Sequence, residues 1–467
     1  MFRKLLIGLA ALVALAVAAT LVAPYFVGSR AEAAFRANLA AFNAREGALQ
    51  LHVKSYHRGF YTSRATLSVD ATGGGKSSEL VGLLFGSTGT GEIHVRINQG
   101  PIAIGGFGSH FSLMPMLYSA TVHASDLPAQ SVLGALGPTF YDEAWLTGGD
   151  RLTIDVPPGR LGLGVLGARW KGGHVVIATD AARDRIDYRG RIETLHVATL
   201  DPETGRHINA VLRPVSFAGH RRRAGHGLWV GADHTQAEGL AVSSAGAAAA
   251  DVKGLREHSE SAESADGRWY GAKLHIAQRG GTLHGWQWSH LDVKAHVDKV
   301  DAAGAARAVK QLRGMRRGQL GMPGELQAIG LLESLLDEAA TPKTRAGLDA
   351  KLQSPQGEAD VEGRLDFAAT PASGAGTAAA AAAHATVRVT FPPAMVTAYA
   401  ATVMGPGAES RAERLLAGLR QQGYLGTASD GRATSTIEWS PAGVSVNGRP
   451  AGPETAAAPA AATGAGL

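Results

Sequence analysis

The sequence predicts a mainly β (α+β) protein: an N-terminal transmembrane helix followed by a large, twisted, mostly antiparallel sheet with a few helices packed on it. Three observations carry that expectation. Leu5 to Val27 is an almost uninterrupted apolar run between Arg3-Lys4 and Arg30. Many later segments alternate apolar and polar residues with period two, and a few segments pair good helix formers with an amphipathic stripe.

A bilayer core of about 30 Å needs roughly 20 apolar residues at the helical rise, and the first run meets that length. The two cations ahead of it favour a cytoplasmic N-terminus, and Pro24, Tyr25 and Phe26 are placed like an interfacial end. A cleaved secretion signal is the competing reading, because Ala31-Glu32-Ala33 has the small-x-small pattern of a cleavage site. Either way the bulk of the chain is exported. With no cysteine, an acylated N-terminus, disulfides, thiolate catalysis and cysteine metal sites are excluded.

At 467 residues, 45% hydrophobic and 18% charged, the chain is long enough for a large core or two domains. The net charge of +5 is too diffuse, and aromatics too few, to indicate nucleic-acid binding.

The first helix is predicted over Ala31 to Glu46, with Ala34, Phe35, Leu39 and Phe42 on one face. Strands follow at Leu51–Ser55, Ala65–Val69, Ile93–Ile97, Ala120–His123, Leu152–Val156, Arg185–Val197, Gly227–Ala232, Tyr270–Ile276 and Leu291–Val297. Gly347–Leu352, Glu358–Phe367, Val387–Phe391 and Thr434–Trp439 continue the pattern. Strands with one apolar face pair antiparallel more readily, since parallel strands buried on both faces read as continuous apolar runs. Two helical pairs, Asp301–Met315 with Pro323–Ala339 and Pro393–Val403 with Ala408–Gln422, are expected as lids on the sheet, Gly423 ending the last helix. Thr370 to Ala383 and the Ala-rich tail 451–467 read as disordered low-complexity segments. The domain plan is residues 1–30 as stub and anchor and 31–450 as a β-rich exported region. A break between two subdomains near 300–340 is compatible with it.

The chemistry-bearing motifs are few. Gly73-Gly74-Gly75-Lys76-Ser77 lacks the first glycine of a phosphate loop and reads as a turn. No His-Glu-x-x-His or Gly-x-Ser-x-Gly occurs. His94, His123, His275 and His296 fall on the polar side of alternating strands, and Asp292 with Asp298, or Glu358 with Asp360, are carboxylates of a half-exposed sheet. No catalytic, metal or cofactor site is therefore assigned. Arg221-Arg222-Arg223 is the densest cationic cluster. It reads either as a solvated loop between strands or as a contact for an anionic headgroup. Trp286 and Trp288 share one strand face and read as core or cross-strand residues.

Tyr56-His57-Arg58-Gly59-Phe60-Tyr61-Thr62-Ser63-Arg64-Ala65 reads as a hairpin corner in which Gly59 supplies a positive φ. It resembles the Tyr-x-Arg-Gly-aromatic-x-x-Ser-x-Ala signature of the YdgA-like family, bacterial envelope proteins with one N-terminal membrane helix. Asn98-Gln99-Gly100-Pro101, Ser354-Pro355-Gln356-Gly357-Glu358 and Val446-Asn447-Gly448-Arg449-Pro450 match later turns of that family in order, with Gln99 in place of its histidine. The resemblance implies an inner-membrane anchor, a periplasmic β-rich bulk and structural rather than catalytic roles for Tyr56, Arg58, Gly59 and Ser63.

Two functional classes follow. One is a non-catalytic envelope protein that supports the cell envelope, its half-apolar sheet binding a lipid, another envelope component or an envelope protein. The alternative is a periplasmic hydrolase whose site is assembled from distant strands. An exposed sheet edge also makes a homodimer compatible with the sequence.

Overall fold

Strand pairing, not helix packing, organises this chain. The computed structural model describes residues 28–44, 49–59, 62–71, 90–99, 116–123, 131–145, 148–201, 204–318, 339–367, 383–440 and 443–451. The apolar run Leu5–Val27, the Gly73–Ser77 turn, the helix Pro323–Ala339 except its last residue, the insertion from Thr370 and all of the tail past Ala451 lie outside those residues. Among the described residues no helix is long and apolar enough to cross a membrane. The chain divides into two compact units, Met1–Val197 and Ala198–Leu467; the interval 300–340 falls within the second.

In the first unit, helix α1 (28–44) is followed by β1 (Leu49–His57), β2 (Thr62–Ala71), β3 (Thr90–Gln99), β4 (Met116–His123) and a short helix α2 (Val132–Leu136). Then come β5 (Thr139–Trp145), β6 (Asp150–Val156), β7 (Gly159–Leu163), β8 (Leu166–Trp170), β9 (Gly173–Thr179) and β10 (Arg185–Ile192). Each of β1 to β6 pairs antiparallel with its chain neighbour, and β9 lies between β6 and β10. β7 and β8 form a hairpin. The division between units falls in β11 (Leu195–Leu200). The single strand expected over Arg185–Val197 is thus two, broken at Glu193-Thr194.

Alternation decides what α1 covers. Ser63, Ala65 and Leu67 of β2 point to one side, opposite Ile97 and Val95 of β3, which stand opposite Ala120 and Val122 of β4. Ala31 and Phe35 of α1 pack on that side, and burying one such aromatic contributes about 1.5–3 kcal/mol. Asn43 ties the end of α1 to the sheet: its Nδ2 donates to the Leu51 carbonyl at 2.8 Å and its Oδ1 accepts from the Leu51 amide at 2.9 Å. Ser131 caps α2 by accepting from the Gly134 amide at 2.9 Å, and Gly137 ends it at φ +55°.

The second unit is an antiparallel meander. Its strands are β12 (His207–Leu212), β13 (Val215–Arg223), β14 (Trp229–Ser244), β15 (Ala247–Glu263), β16 (Trp269–Gln278), β17 (Gly281–Leu283), β18 (Trp286–Trp288) and β19 (His290–Asp301). After helix α3 (Ala302–Gly318) follow β20 (Arg345–Ser354), β21 (Gly357–Phe367) and β22 (Ala383–Phe391). Helices α4 (Pro393–Val403) and α5 (Ala408–Gln421) precede β23 (Gly426–Thr427), β24 (Ala433–Ser440), β25 (Gly443–Val446) and β26 (Arg449–Pro450). The main sheet runs β14, β15, β16, β19, β20, β21, β22, β24, β25, with β12 and β13 side by side along β14.

Two-residue turns fix the register. Ala245-Gly246, His284-Gly285 and Asn447-Gly448 each hold both residues at positive φ, the twist a tight hairpin requires. Gly423 (φ +77°) ends α5 as expected, the Tyr424 amide donating to the Leu419 carbonyl at 2.9 Å.

Candidate functional site

Cross-strand register assembles one continuous face in the second unit. Leu274 of β16 stands opposite Ala295, Ala295 opposite Leu348, Leu348 opposite Gly363, Gly363 opposite Val387, Val387 opposite Ile437 and Ile437 opposite Val446. Residues directly opposite in an antiparallel pair share a side, so these seven line one row. A flanking row runs Ile276, Val293, Ala350, Val361, Val389, and another ends in Ala385, Trp439 and Val444.

This face is only partly covered. Leu348 is 38% exposed, Ile437 39%, Val444 39% and Trp439 53%. A contiguous exposed apolar surface of this kind marks a binding site more often than it marks chance.

Helices wall its two ends. At one end α3 packs through Ala302 and Ala305 against Val297 and Val300, where a bulge at Asp298-Lys299 lifts the strand, Lys299 taking φ +56°. At the other end Leu416 and Leu419 of α5 and Val396 of α4 meet Phe391 and Ala433, which lie on the same face. The helices expected as lids therefore sit along the strand ends, flanking the rows, because the side chains that match them, Val300 and Phe391, stand at strand termini. Trp286 and Trp288 of β18 add an aromatic cluster beside α4: their ring centroids are 5.6 Å apart, and Tyr399 meets Trp286 edge-on at 5.4 Å. Trp288 stands opposite Gly281, whose missing Cβ leaves room for the indole.

The other side of the same sheet is charged. Asp292 and Lys294 of β19, Lys351 of β20, Asp360 and Glu362 of β21 and Arg388 of β22 alternate with the apolar row. The carboxylates singled out by pattern are not brought together. Asp292 holds His275 at 2.7 Å and Lys294 at 3.3 Å, whereas Asp360 accepts from Arg432. Burial alone would raise the Asp292 carboxyl, but hydrogen bonds from His275 and Lys294 outweigh it and hold it below the usual carboxylate range.

The arginine cluster is not a loop. Arg221, Arg222 and Arg223 close strand β13, opposite Gly231, Val230 and Trp229. Alternation splits them: Arg221 and Arg223 share the side of Asp233, and Arg222 points to the other. Arg221 Nε donates to Asp233 Oδ1 at 3.2 Å.

The Tyr56 to Ser63 corner lies in the first unit. Tyr56 is half-buried, its ring 6.3 Å from Phe35 and under the Arg36 guanidinium, which also pairs with Glu32 at 3.0 Å. Burial pushes the Tyr56 phenol up, against a lowering hydrogen bond with Ser63, which is fully buried. Arg58 is exposed just past β1. Gly59 does not adopt a positive φ; a Cβ there would lie 2.1 Å from the Thr62 carbonyl oxygen, so close backbone approach is what demands glycine. The irregularity in the pair is a bulge at Lys54, between Val53 and Ser55.

Two of the later motifs build turns, and of the Asn98–Pro101 motif only Asn98 and Gln99, in β3, lie among the described residues. Ser354 Oγ accepts from the Gln356 amide at 3.2 Å and donates to the Gly357 carbonyl at 3.3 Å. Asn447 Oδ1 accepts from the Thr436 amide at 2.8 Å while its Nδ2 donates to the Gly423 carbonyl at 3.2 Å. Asn98 ends β3, 5% exposed, and accepts from Thr62 Oγ1 at 3.2 Å.

Sequence reasoning missed one polar patch. On the side of the first sheet away from α1, Asn98, Ser119 and Glu143 are buried, and the Arg151 guanidinium reaches Glu143 at 3.8 Å. Burial raises the phenol of neighbouring Tyr141; the adjacent Ser119 hydroxyl opposes this and the Glu143 charge adds to it. Nothing in β5 alternates cleanly enough to reveal it beforehand. Among the described residues no three His, Asp or Glu are grouped to hold a metal ion.

A family model described as bacterial protein of unknown function (DUF945) matches residues 2–454. No curated protein and no solved structure matches.

Proposed function

The chain belongs to the DUF945 family of bacterial proteins, and on that premise we propose that it is a YdgA-like, non-catalytic envelope protein whose second unit binds the acyl part of an envelope component. In this reading Leu5–Val27 fixes the chain to the inner membrane as a single pass, and the bulk stands in the periplasm in support of the envelope.

The observation that carries the reading is the partly exposed apolar face bounded by α3 and by α4 with α5. Each methylene removed from water contributes about 0.8 kcal/mol, so ten of them offset the cost of immobilising one chain. A charged surface on the opposite side keeps that sheet from being apolar on both sides, which favours a single occupied face.

The test uses the full-length chain with a benzophenone amino acid at Leu348 or, as control, at Lys351, in cells grown on radiolabelled acetate. Irradiation is expected to attach labelled lipid at Leu348 and not at Lys351. Equal labelling at both sites, or adducts to protein alone, overturns the reading.

A further inference from the structure

The apolar rows do not end at β16; they continue onto strands of different chemistry. Ser259 of β15 stands opposite Leu274, and Asp233 of β14 opposite Ser259. In the flanking rows Glu257 follows Ile276, and Ser261 follows Ala272. The same side of one sheet is thus aliphatic from β16 to β25 and polar over this part of β15 and β14, meeting Arg221 and Phe217 on β13.

The polar end carries both signs of charge. Ser259 Oγ donates to Asp233 Oδ2 at 3.4 Å, Arg221 pairs with the same carboxylate, and the Gly231 amide donates to Ser261 Oγ at 3.2 Å. Along β15 the residues on this side, Glu257, Ser259, Ser261 and Glu263, are half-buried, whereas their outward neighbours Arg256, His258 and Glu260 are exposed. Hydroxyls, carboxylates and a guanidinium at one end of an aliphatic strip complement a molecule that is itself greasy at one end and charged at the other.

Length agrees. With neighbouring strands about 4.8 Å apart, the strip from β16 to β25 runs roughly 29 Å. The chains of one leaflet span ~15 Å, half of a bilayer core, so chains whose headgroup sits at β15 reach about three strand spacings, over β16, β19, β20 and β21.

We propose that the occupant is a diacyl phospholipid lying across the strands, chains over β16 to β21 and headgroup over β13 to β15. Its phosphate faces Arg221 and an amine-bearing headgroup faces Glu257 and Asp233. This rests on the lipid reading above and adds to it an orientation and a headgroup site.

The experiment places benzophenone at Val293, at Leu348 and at Ser259 of the full-length chain, reconstituted with vesicles of dipalmitoyl phosphatidylethanolamine and phosphatidylglycerol. Fragmentation of each adduct by mass spectrometry then locates the attachment. Adducts on chain carbons at Val293 and Leu348, and on the glycerophosphate or headgroup at Ser259, are the expected result. Arg221→Ala is expected to lose the Ser259 headgroup adduct and to keep the chain adduct at Leu348. Chain adducts at all three positions, or a reversed pattern, overturn the orientation while leaving lipid binding intact. Absence of lipid adducts at every position overturns both.

Discussion

His275 Nε2 lies 2.7 Å from Asp292 Oδ2 across the β16–β19 pair, one contact of a charged lattice that backs the apolar rows. Lys294 shares the same carboxylate. The arrangement makes the carboxyl more acidic when folded than when unfolded, and that difference has a pH signature.

A carboxyl whose folded pKa is depressed contributes stability above its unfolded value of about 3.9, and the contribution is lost as pH falls through the folded value. Asp292→Asn should therefore lower the unfolding midpoint relative to the parent at pH 7, with the gap closing as pH drops below about 4. Chemical denaturation across that range checks it; a gap constant with pH contradicts the assignment.

Val95 and Leu348 test the two units differently. Val95 is 4% exposed beneath α1, so Val95→Glu buries an unpaired charge at a cost of several kcal/mol and should abolish folded protein. Leu348, on the open rows, should accept Leu348→Glu with the circular dichroism spectrum retained and the lipid adducts at Val293 lost. Equal loss of fold in both variants would show the rows to be closed core.

Gly59→Ala forces a Cβ against the Thr62 carbonyl. Overpacking of this kind costs about 1–3 kcal/mol, read as a lower unfolding midpoint of the first unit. An unchanged midpoint would mean that the corner relaxes freely.

Asn447 combines φ +51° with two side-chain hydrogen bonds. Asn447→Ala loses both and adds strain, for a loss of about 1–3 kcal/mol. Asn447→Gly loses the same two hydrogen bonds without the strain and should fall between parent and alanine in thermal unfolding.

Strand identity was legible wherever alternation was clean, as at Ile93–Ile97 and Leu291–Val297, and the helices from Pro393 to Gln421 could be placed from Pro393 and Gly423. β15 was not legible, because on the side where β16 turns aliphatic it carries Glu257, Ser259 and Ser261, so no hydrophobic beat marks it. For the same reason Arg221 to Arg223 read as a loop: three like charges in succession hide a strand whose partners supply the register. Gly59 needed glycine for space rather than for φ, a distinction only coordinates make. The apolar row itself was implied strand by strand, but which residues align across strands depends on turn length and bulges, and so the face became visible only in three dimensions.

In the second unit nearly every strand of the main sheet bonds to the strand before it in the chain; the longer connections are β16–β19, past the β17–β18 hairpin, β19–β20, past α3, and β22–β24, past α4 and α5. Loop-closure entropy is then met in small instalments, and low sequence separation favours rapid assembly. A polypeptide emerging from a narrow exit, amino end leading, can zip its hairpins one after another without waiting for a distant segment, which limits the time during which unpaired edges lie open to other chains.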